Sequence, residues 1–258
     1  MIQSVTRAAQ ILRTLGSGPR LGVTELSDRL GLAKGTVHGL LRTLEANDLV
    51  EQHPETGKYH LGPALLELGN AFLEGHELRS RSLLWADSLA VRAQEAARVG
   101  VLNGSNVLIV HHVFRPDNSV QILEVGAVLP WHACALGKAI VAFLPSDRRA
   151  PLLREKLSQL TGRTITSKAE LKSQLEKIRH AGFATDDQEA IVGEAGMAAP
   201  ILGFEGHAVG GIGLTGAVES ILPSGPDPAK LGTLRDAARN LSRDMGSGQS
   251  ATRWSSTS

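Results

Sequence analysis

Cys134 and its neighbouring histidines are the residues of this sequence that could act as a nucleophile and its base. His132 lies two positions before the cysteine, and the pair His111-His112 lies further upstream. Nucleophilic catalysis needs a base within hydrogen-bond reach and a third group that orients it. Because the segment around Cys134 is predicted to turn into a helix, we interpret the thiol as a small buried hydrophobe. An enzyme that uses Cys134 and His132 is the alternative.

The same histidines are the candidate metal ligands, but their spacing matches no recognised ligand set. Adjacent histidines on a strand point to opposite faces, so at most one of His111 and His112 can enter a shared site. The sequence has no phosphate loop, dinucleotide fingerprint or catalytic motif. We therefore expect no catalytic residue, no metal and no cofactor.

Three other stretches have the composition of a binding site for a small polar molecule. LPWHACALGKAIVAFL, residues 129–144, places small residues where a loop becomes a helix, and backbone N–H groups there favour an anion. DDQE, residues 186–189, offers acids that accept hydrogen bonds from ligand hydroxyls. GGIGLTG, residues 210–216, is a glycine-rich strand, which marks close approach of another group or a tight strand crossing. Lys138 adds charge to the site or is structural.

Residues 31–50, GLAKGTVHGLLRTLEANDLV, form a separate candidate surface. Four apolar residues recur at the spacing of one helix face: Val37, Leu40, Leu41 and Leu44. The opposite face carries short, polar and basic residues that suit a DNA groove: Lys34, Gly35, Thr36, His38, Gly39, Arg42 and Thr43. A helical glycine costs about 0.5–1 kcal/mol relative to alanine, which close approach to DNA would justify. A solvated face of a helical bundle is the alternative.

The elements around this helix predict a winged helix-turn-helix domain. A first helix is predicted from an apolar stripe of Val5, Ala8, Ala9, Leu12 and Leu15. A second helix opens near Thr24, and Gly31 makes the tight turn into the third. Residues 49–52 and 58–61 flank turn residues and predict a β-hairpin, whose Lys58 is a further candidate DNA contact.

Residues 62–75 predict a connector helix with an apolar face of its own: Leu65, Leu68, Gly69 and Phe72. Such a face needs a partner, and a protein that reads two-fold operator half-sites needs a dimer. The connector helix therefore predicts a homodimer, with packing on its own domain as the alternative.

The second half predicts an antiparallel sheet surrounded by helices, which is an α+β sensor architecture. Residues 76–100 predict a long helix, and the capped segments 167–182 and 227–245 predict two more. Strands are predicted at 99–102, 107–114, 120–125, 183–185, 196–202 and 208–216. Residues 246–258 predict a disordered tail.

The bulk composition agrees with two domains of an ordinary globular protein. The chain has 258 residues, 42% hydrophobic, 21% charged, with net charge +1 and one cysteine. No apolar run reaches the roughly 18 residues of a membrane helix, and the first residues lack the features of a signal peptide. We expect a cytoplasmic protein that has no membrane partner.

The DNA-reading segment and the three candidate binding stretches together resemble the IclR family of bacterial transcriptional regulators. SVTRAAQILRTL and LGVTELSDRLGLAKGTVHGLLRTLEANDLVEQHPETGKYHL are similar to the family's DNA-binding domain. LPWHACALGKA and GFATDDQEAIVGEAGMAAPI are similar to its effector-domain signatures. The resemblance implies a winged helix-turn-helix domain over 1–61, a connector helix over 62–75 and a GAF-like effector-binding domain over 76–245.

The resemblance also implies the residues that hold an acidic effector. They are Ala135, Leu136, Gly137, Asp186, Gly196, Gly213 and Thr215. Glycine stands at 196 and at 213 where the family often has cysteine and serine, so a roomy pocket is expected. The family more often has a polar residue at position 35 and an arginine at position 39, so one DNA contact is expected to be missing.

The resemblance further implies operator DNA as a partner, and a homodimer or dimer of dimers as the assembly. Within the family, residues 42–83 are most similar to regulators of glycerol operons, which implies repression released by a small anion, glycerol 3-phosphate. A regulator of aromatic-acid, keto-acid or amino-acid metabolism is the alternative.

Overall fold

The computed structural model describes residues 1–247 and divides the chain between Gly75 and His76 into two compact units. Each unit has its own apolar core. Of the predicted tail, Gly246 and Ser247 donate backbone hydrogen bonds to Arg243 and Ser242, so these two residues continue the folded unit. The rest of that tail, 248–258, lies outside the described residues.

The first unit has the element order of a winged helix-turn-helix domain followed by one more helix. Its elements are α1 (Gln3–Gly16), α2 (Val23–Leu30), α3 (Lys34–Glu45), β1 (Val50–Gln52), β2 (Tyr59–Leu61) and α4 (Ala64–Glu74). Gly31 ends α2 at a positive φ of 64° and makes the turn into α3. β1 and β2 pair antiparallel as the predicted hairpin.

The buried face of α1 differs from the predicted stripe. Ile11 and Leu15 are buried, whereas Val5 and Ala9 are exposed. The first turns of α1 lie beyond the core of this unit. An apolar residue in those turns therefore does not show which face of the helix is buried. The core begins where α1 meets α2, α3 and the hairpin, whose apolar residues form one cluster.

The second unit is a six-stranded antiparallel sheet between two helical layers. Its helices are α5 (Glu77–Ala93), α6 (Ala135–Ala142), α7 (Ser146–Arg154), α8 (Lys168–Ala181), α9 (Val218–Ile221) and α10 (Pro228–Asp244), and a short 3-10 helix (Trp131–Ala133) precedes α6. Its strands are β3 (Ala96–Asn103), β4 (Asn106–Val113), β5 (Val128–Pro130), β6 (Ala184–Asp187), β7 (Glu194–Leu202) and β8 (Ala208–Ala217), in the order β5-β4-β3-β8-β7-β6.

Glycines in β8 allow a helix to approach each face of the sheet. A Cβ at Gly210 would meet Leu78 of α5, and one at Gly211 would meet Leu136 and Ile140 of α6. Neighbouring residues of a strand point to opposite faces, so α5 and α6 lie on opposite sides of the sheet.

Two predicted elements differ from the structure: one helix ends early, and one strand does not form. The helix predicted over 76–100 ends at Ala93, because Gln94 takes a left-handed conformation and the chain enters β3 at Ala96. Residues 120–125 form no strand, and Val120, Ile122 and Leu123 are exposed. The edge strand beside β4 is instead β5, which was not predicted.

No helix within residues 1–247 combines the length and apolar character needed to cross a membrane.

Candidate DNA interface and effector site

α3 buries its apolar stripe and exposes the face that the sequence predicts for DNA. Val37, Leu41 and Leu44 are buried. Of the seven predicted residues on the opposite face, six are exposed and Thr36 is partly buried. Across residues 1–247, Lys34 and Arg42 have no ion pair or side-chain hydrogen bond. Both cations therefore remain available to an anionic partner.

The glycines of α3 face open space. A Cβ added at Gly35 or Gly39 would find no other atom within 4 Å. Packing inside the protein therefore does not require glycine at either position. A partner that approaches this face closely would require it.

Replacing Gly39 with alanine is expected to stabilise α3 by about 0.5–1 kcal/mol and to weaken operator binding. The added methyl group reduces the conformational freedom of the unfolded chain, which favours the helix. In the complex with DNA, the same methyl group would lie between the helix and the groove floor. Hydrogen exchange of α3 amides would measure the first effect and fluorescence anisotropy on operator DNA the second.

Gly232→Ala is the matched control, because Gly232 is in the interior of α10 and its Cβ would also meet open space. It should give the same helix stabilisation and leave operator affinity unchanged. Equal operator affinity of wild type and Gly39→Ala would mean that Gly39 does not face DNA.

Lys58, the predicted contact on the wing, is paired inside its own unit. Its Nζ lies 3.1 Å from Glu25 Oε1 of α2, and Glu25 also accepts the Gly22 N–H at 2.7 Å. These two hydrogen bonds, that of Gly22 first, lower the pKa of Glu25. An exposed ion pair contributes little to stability, so a DNA phosphate could replace Glu25 as the partner of Lys58.

The start of α6 brings most of the predicted effector residues together. The Ala135 N–H donates to Asp186 Oδ2 at 2.9 Å. Asp186 pairs across the sheet with Gly196, which pairs with Thr215. Six of the seven predicted residues line one small cavity: Ala135, Leu136, Asp186, Gly196, Gly213 and Thr215.

Gly137, the seventh predicted residue, does not line this cavity and serves packing instead. Its N–H donates to Cys134 Sγ at 3.4 Å. A Cβ at Gly137 would overlap the backbone of Trp131, whose carbonyl carbon would be 2.6 Å away. Glycine at 137 therefore allows α6 to begin directly against the 3-10 helix.

The cavity is small, contrary to the roomy pocket expected from the two glycines. It encloses about 20 Å³, which is room for about one water molecule. A Cβ at Gly196 would be 2.5 Å from Asp186 Oδ2, and one at Gly213 would be 2.7 Å from the Met197 carbonyl oxygen. The space that the missing side chains leave is filled by the Asp186 carboxylate and by neighbouring backbone.

Asp186 is a partly buried carboxyl group at the positive end of a helix. Burial raises its pKa to about 6, while the Ala135 N–H and the charge of Lys138 act in the opposite direction. The folded protein therefore binds a proton at Asp186 over a pH range in which an ordinary aspartate is ionised.

Because the pKa of Asp186 is raised, the free energy of unfolding should depend on pH. Asp186→Asn should remove this dependence. Between about pH 4 and pH 6 the folded state binds more protons at Asp186 than the unfolded state, so wild-type stability falls as pH rises. From the shift of the pKa from 3.8 to about 6, the variant should gain about 2 kcal/mol relative to wild type between pH 4 and pH 7. Denaturant unfolding followed by tryptophan fluorescence at both pH values measures this gain.

Asp187→Asn is the control, since the Asp187 side chain is 42% exposed. This variant keeps Asp186, so it should retain the fall in stability between about pH 4 and pH 6. Parallel profiles for wild type and Asp186→Asn would contradict the assigned titration.

Lys138 is structural in this structure. Its side chain is fully buried, and its Nζ lies 2.6 Å from Glu189 Oε1 and 3.4 Å from Gln174 Oε1. Burial raises the pKa of Glu189, and Lys138 opposes that shift. The ammonium group is therefore committed to Glu189, which follows Asp186 by three positions.

Arg98 is the residue of this site that the sequence reasoning missed. It lines the cavity from β3, is 8% exposed, and pairs with Glu124 and Glu194. Its Nη2 donates to Glu124 at 2.6 Å and its Nη1 to Glu194 at 3.0 Å. The available signal was an arginine inside the apolar run AARVGVL, since a buried charge needs partners.

The structure does not arrange Cys134 and His132 as the nucleophile and base of an enzyme. Burial raises the pKa of the Cys134 thiol to about 12, so it is protonated at neutral pH. His132 Nε2 lies 2.9 Å from the Ser158 carbonyl oxygen, and no hydrogen bond joins it to Cys134 within the described residues. In that same part of the chain, no three His, Cys, Asp or Glu side chains are arranged to hold a metal ion.

Comparison with known proteins agrees with both units. Residues 4–54 match the IclR helix-turn-helix domain, and residues 70–243 match the bacterial transcriptional regulator IclR C-terminal domain. The glycerol operon regulatory proteins of Streptomyces griseus and Streptomyces coelicolor are 49% and 45% identical over 96% of this chain and 98% of their own. The crystal structure of an IclR transcriptional regulator from Alicyclobacillus acidocaldarius superposes with a TM-score of 0.80, at 25% identity over 94% of this chain and 98% of that one.

A winged helix-turn-helix unit joined to an effector-binding α+β unit defines a one-component transcriptional regulator. The chain belongs to the IclR family of bacterial transcriptional regulators. It is a DNA-binding regulator and not an enzyme.

Proposed function

We propose that this regulator represses a glycerol operon and releases its operator when it binds glycerol 3-phosphate. The observation that carries the proposal is near-full-length identity, at 49% and 45%, to two glycerol operon regulatory proteins. A regulator of another pathway would require the effector site to have diverged while the rest of the chain stayed this similar.

The DNA-reading role belongs to α3. Lys34 and Arg42 would bind phosphates, while Thr36, His38 and Thr43 would reach base edges or the backbone. Gly35 and Gly39 would let the helix approach the groove floor. Lys58 on the wing would exchange Glu25 for a phosphate.

The proposed assembly is a homodimer or a dimer of dimers, with α4 as the connector helix between partners. No residue of α4 is buried in the isolated chain, and on its predicted apolar face Leu68 is exposed and Leu65 only partly buried. A dimer would cover such a face and would place two copies of α3 at successive major grooves. Because its operator is chromosomal, the regulator would act in the cytoplasm.

The effector would act by differential binding to the two states of the regulator. In residues 76–245, Ala135, Leu136, Asp186, Gly196, Gly213 and Thr215 are the proposed contacts. A coupling of about 1–3 kcal/mol would change operator affinity about 5- to 150-fold, which is enough to switch a promoter.

A fluorescence-anisotropy titration tests the proposal with full-length protein. Duplex DNA from upstream of the gene itself and of its neighbour would be titrated at fixed salt, with and without glycerol 3-phosphate. Tight binding that glycerol 3-phosphate loosens is expected. Binding that ignores it would remove this effector and leave the regulator, and binding no tighter than to random DNA would contradict the operator assignment.

Arg42→Ala provides the matched test of α3, with Arg92→Ala of α5 as the control, since both arginines are exposed. Loss of one phosphate contact should weaken binding and lower the salt dependence by about one released counterion. The control should bind as wild type does. Equal salt slopes for Arg42→Ala and wild type would exclude Arg42 as a phosphate ligand.

A further inference from the structure

The effector cavity lies over two neighbouring rows of cross-strand partners in the sheet. One row runs Ala96, Thr215, Gly196 and Asp186, and the next runs Arg98, Gly213, Ala198 and Ala184. Small residues occupy the middle of both rows, while Arg98 on β3 and Asp186 on β6 stand at opposite ends. Three strand spacings separate β3 from β6, about 14 Å across the sheet. The site is thus a short trough with a cation at one end and a carboxyl group at the other.

The α6 end of the trough already holds an anionic group. Asp186 Oδ2 accepts the Ala135 N–H at 2.9 Å, and the side chain is partly buried. A phosphate placed on the same N–H would meet the carboxylate of Asp186 at short range, and like charges repel strongly away from water. The Ala135–Asp186 end therefore suits hydroxyl groups, because a hydroxyl can donate to Asp186 and also accept a hydrogen bond.

The Arg98 end has a guanidinium group whose present partners are carboxylates, the chemistry that a phosphate can replace. Glu194 is held from a second side, because Thr215 Oγ1 donates to its Oε1 at 2.9 Å. Glu124 has no such side-chain partner beyond Arg98 in the described structure. It also lies in the irregular segment between β4 and β5. Glu124 is therefore the partner of Arg98 that a phosphate can displace.

We propose that Arg98 binds the phosphate of the effector, that this phosphate displaces Glu124, and that the glycerol hydroxyls lie at Asp186 and Ala135. The inference rests on the proposed effector and reverses the orientation that a phosphate at the start of α6 would give. The closed site holds about one water molecule, so the effector has to displace protein groups to enter. In this proposal the departure of Glu124 frees Arg98 for the phosphate.

Calorimetric titration of the full-length protein with glycerol 3-phosphate tests the proposal. Glu124→Gln removes the competing negative charge and should tighten binding about tenfold. Glu205→Gln, which changes the net charge equally at an exposed turn of the same unit, should bind as wild type does. Arg98→Met should lose binding at least 100-fold, and uncharged glycerol should not bind measurably.

Arg98→Met leaves Glu124 and Glu194 without their cation, so the folded state of this variant needs a check by circular dichroism. Glu124→Gln does not depend on that check. If it binds glycerol 3-phosphate no tighter than wild type, the inference is overturned while the effector stands.

A second arm separates failure of the inference from failure of the proposed function. If wild type does not bind glycerol 3-phosphate, the effector is wrong, and inorganic phosphate then probes Arg98 alone. A phosphate-induced rise in the melting temperature of Glu124→Gln, absent in Arg98→Met/Glu124→Gln, would keep Arg98 as the anion receptor. Equal melting temperatures with and without phosphate in both variants would overturn it.

Discussion

Replacing Lys138 with methionine is expected to lower the free energy of unfolding of the effector-binding unit by about 3–5 kcal/mol. The substitution nearly preserves side-chain volume but leaves the Glu189 carboxylate buried without the ammonium group 2.6 Å away. Glu189 is 5% exposed, and its Oε2 has no hydrogen-bond partner among residues 1–247. Burial already raises the pKa of Glu189, so loss of Lys138 should raise it further and make the stability of the variant fall as the pH rises.

Denaturant unfolding followed by tryptophan fluorescence measures this loss in one unit, because all three tryptophans follow residue 75. The double variant Lys138→Met/Glu189→Leu buries no charge and should recover most of the stability. A single variant as stable as wild type would mean that water reaches Glu189. A double variant as unstable as the single one would mean that packing, and not charge, causes the loss.

Replacing Gly137 with alanine is expected to destabilise the same unit by about 3 kcal/mol and to abolish the effector response. The added Cβ would overlap the carbonyl group of Trp131, and backbone atoms cannot rotate away as a side chain can. The start of α6 would have to shift, which moves the Ala135 N–H from its place 2.9 Å from Asp186. Unfolding followed by fluorescence and operator release by glycerol 3-phosphate measure the two effects.

Gly162→Ala is the control for this substitution, since a Cβ there would find open space within the same unit. It should leave both stability and effector response close to wild type. A Gly137→Ala variant with wild-type stability would contradict the close contact between α6 and the 3-10 helix.

The parts of the fold that depend on local signals could be predicted from the sequence. α8 is capped by Ser167 and α10 by Asp227, each at the start of a segment that the sequence predicts as a capped helix. In each case an apolar period and a capping side chain act within one or two helical turns. Gly31 was predictable for the same reason, because its left-handed turn is a property of the residue itself.

The errors concern partners that are distant in sequence. Residues 120–125 have strand-like composition but lie where no neighbouring strand pairs with them, and β5 takes that edge instead. The inward face of α1 depends on where the rest of its unit ends. Pairing and burial of this kind are set by tertiary structure, which a local pattern does not contain.

The candidate effector site likewise has residues that the sequence could predict and contacts that it could not. Residues on the family signatures, such as Ala135 and Asp186, could be placed by motif, and the structure brings them to one cavity. Their hydrogen bond to each other could not be foreseen, nor could the closure of the cavity by Asp186. Arg98 belongs to no motif, and its partners Glu124 and Glu194 are 26 and 96 residues away in sequence.

The contact between Asp186 and the Ala135 N–H has a consequence for the threshold at which the operon would respond. A site occupied by its own side chains binds ligand only in the fraction of molecules that have opened, and the apparent dissociation constant is the intrinsic one divided by that fraction. If about 1% of molecules are open, the apparent constant is about 100-fold weaker than the intrinsic one. Closure by Asp186 would thus keep the operon silent at basal metabolite levels. Substitutions that weaken this hydrogen bond without moving the start of α6 would lower the inducing concentration without adding any contact to the ligand.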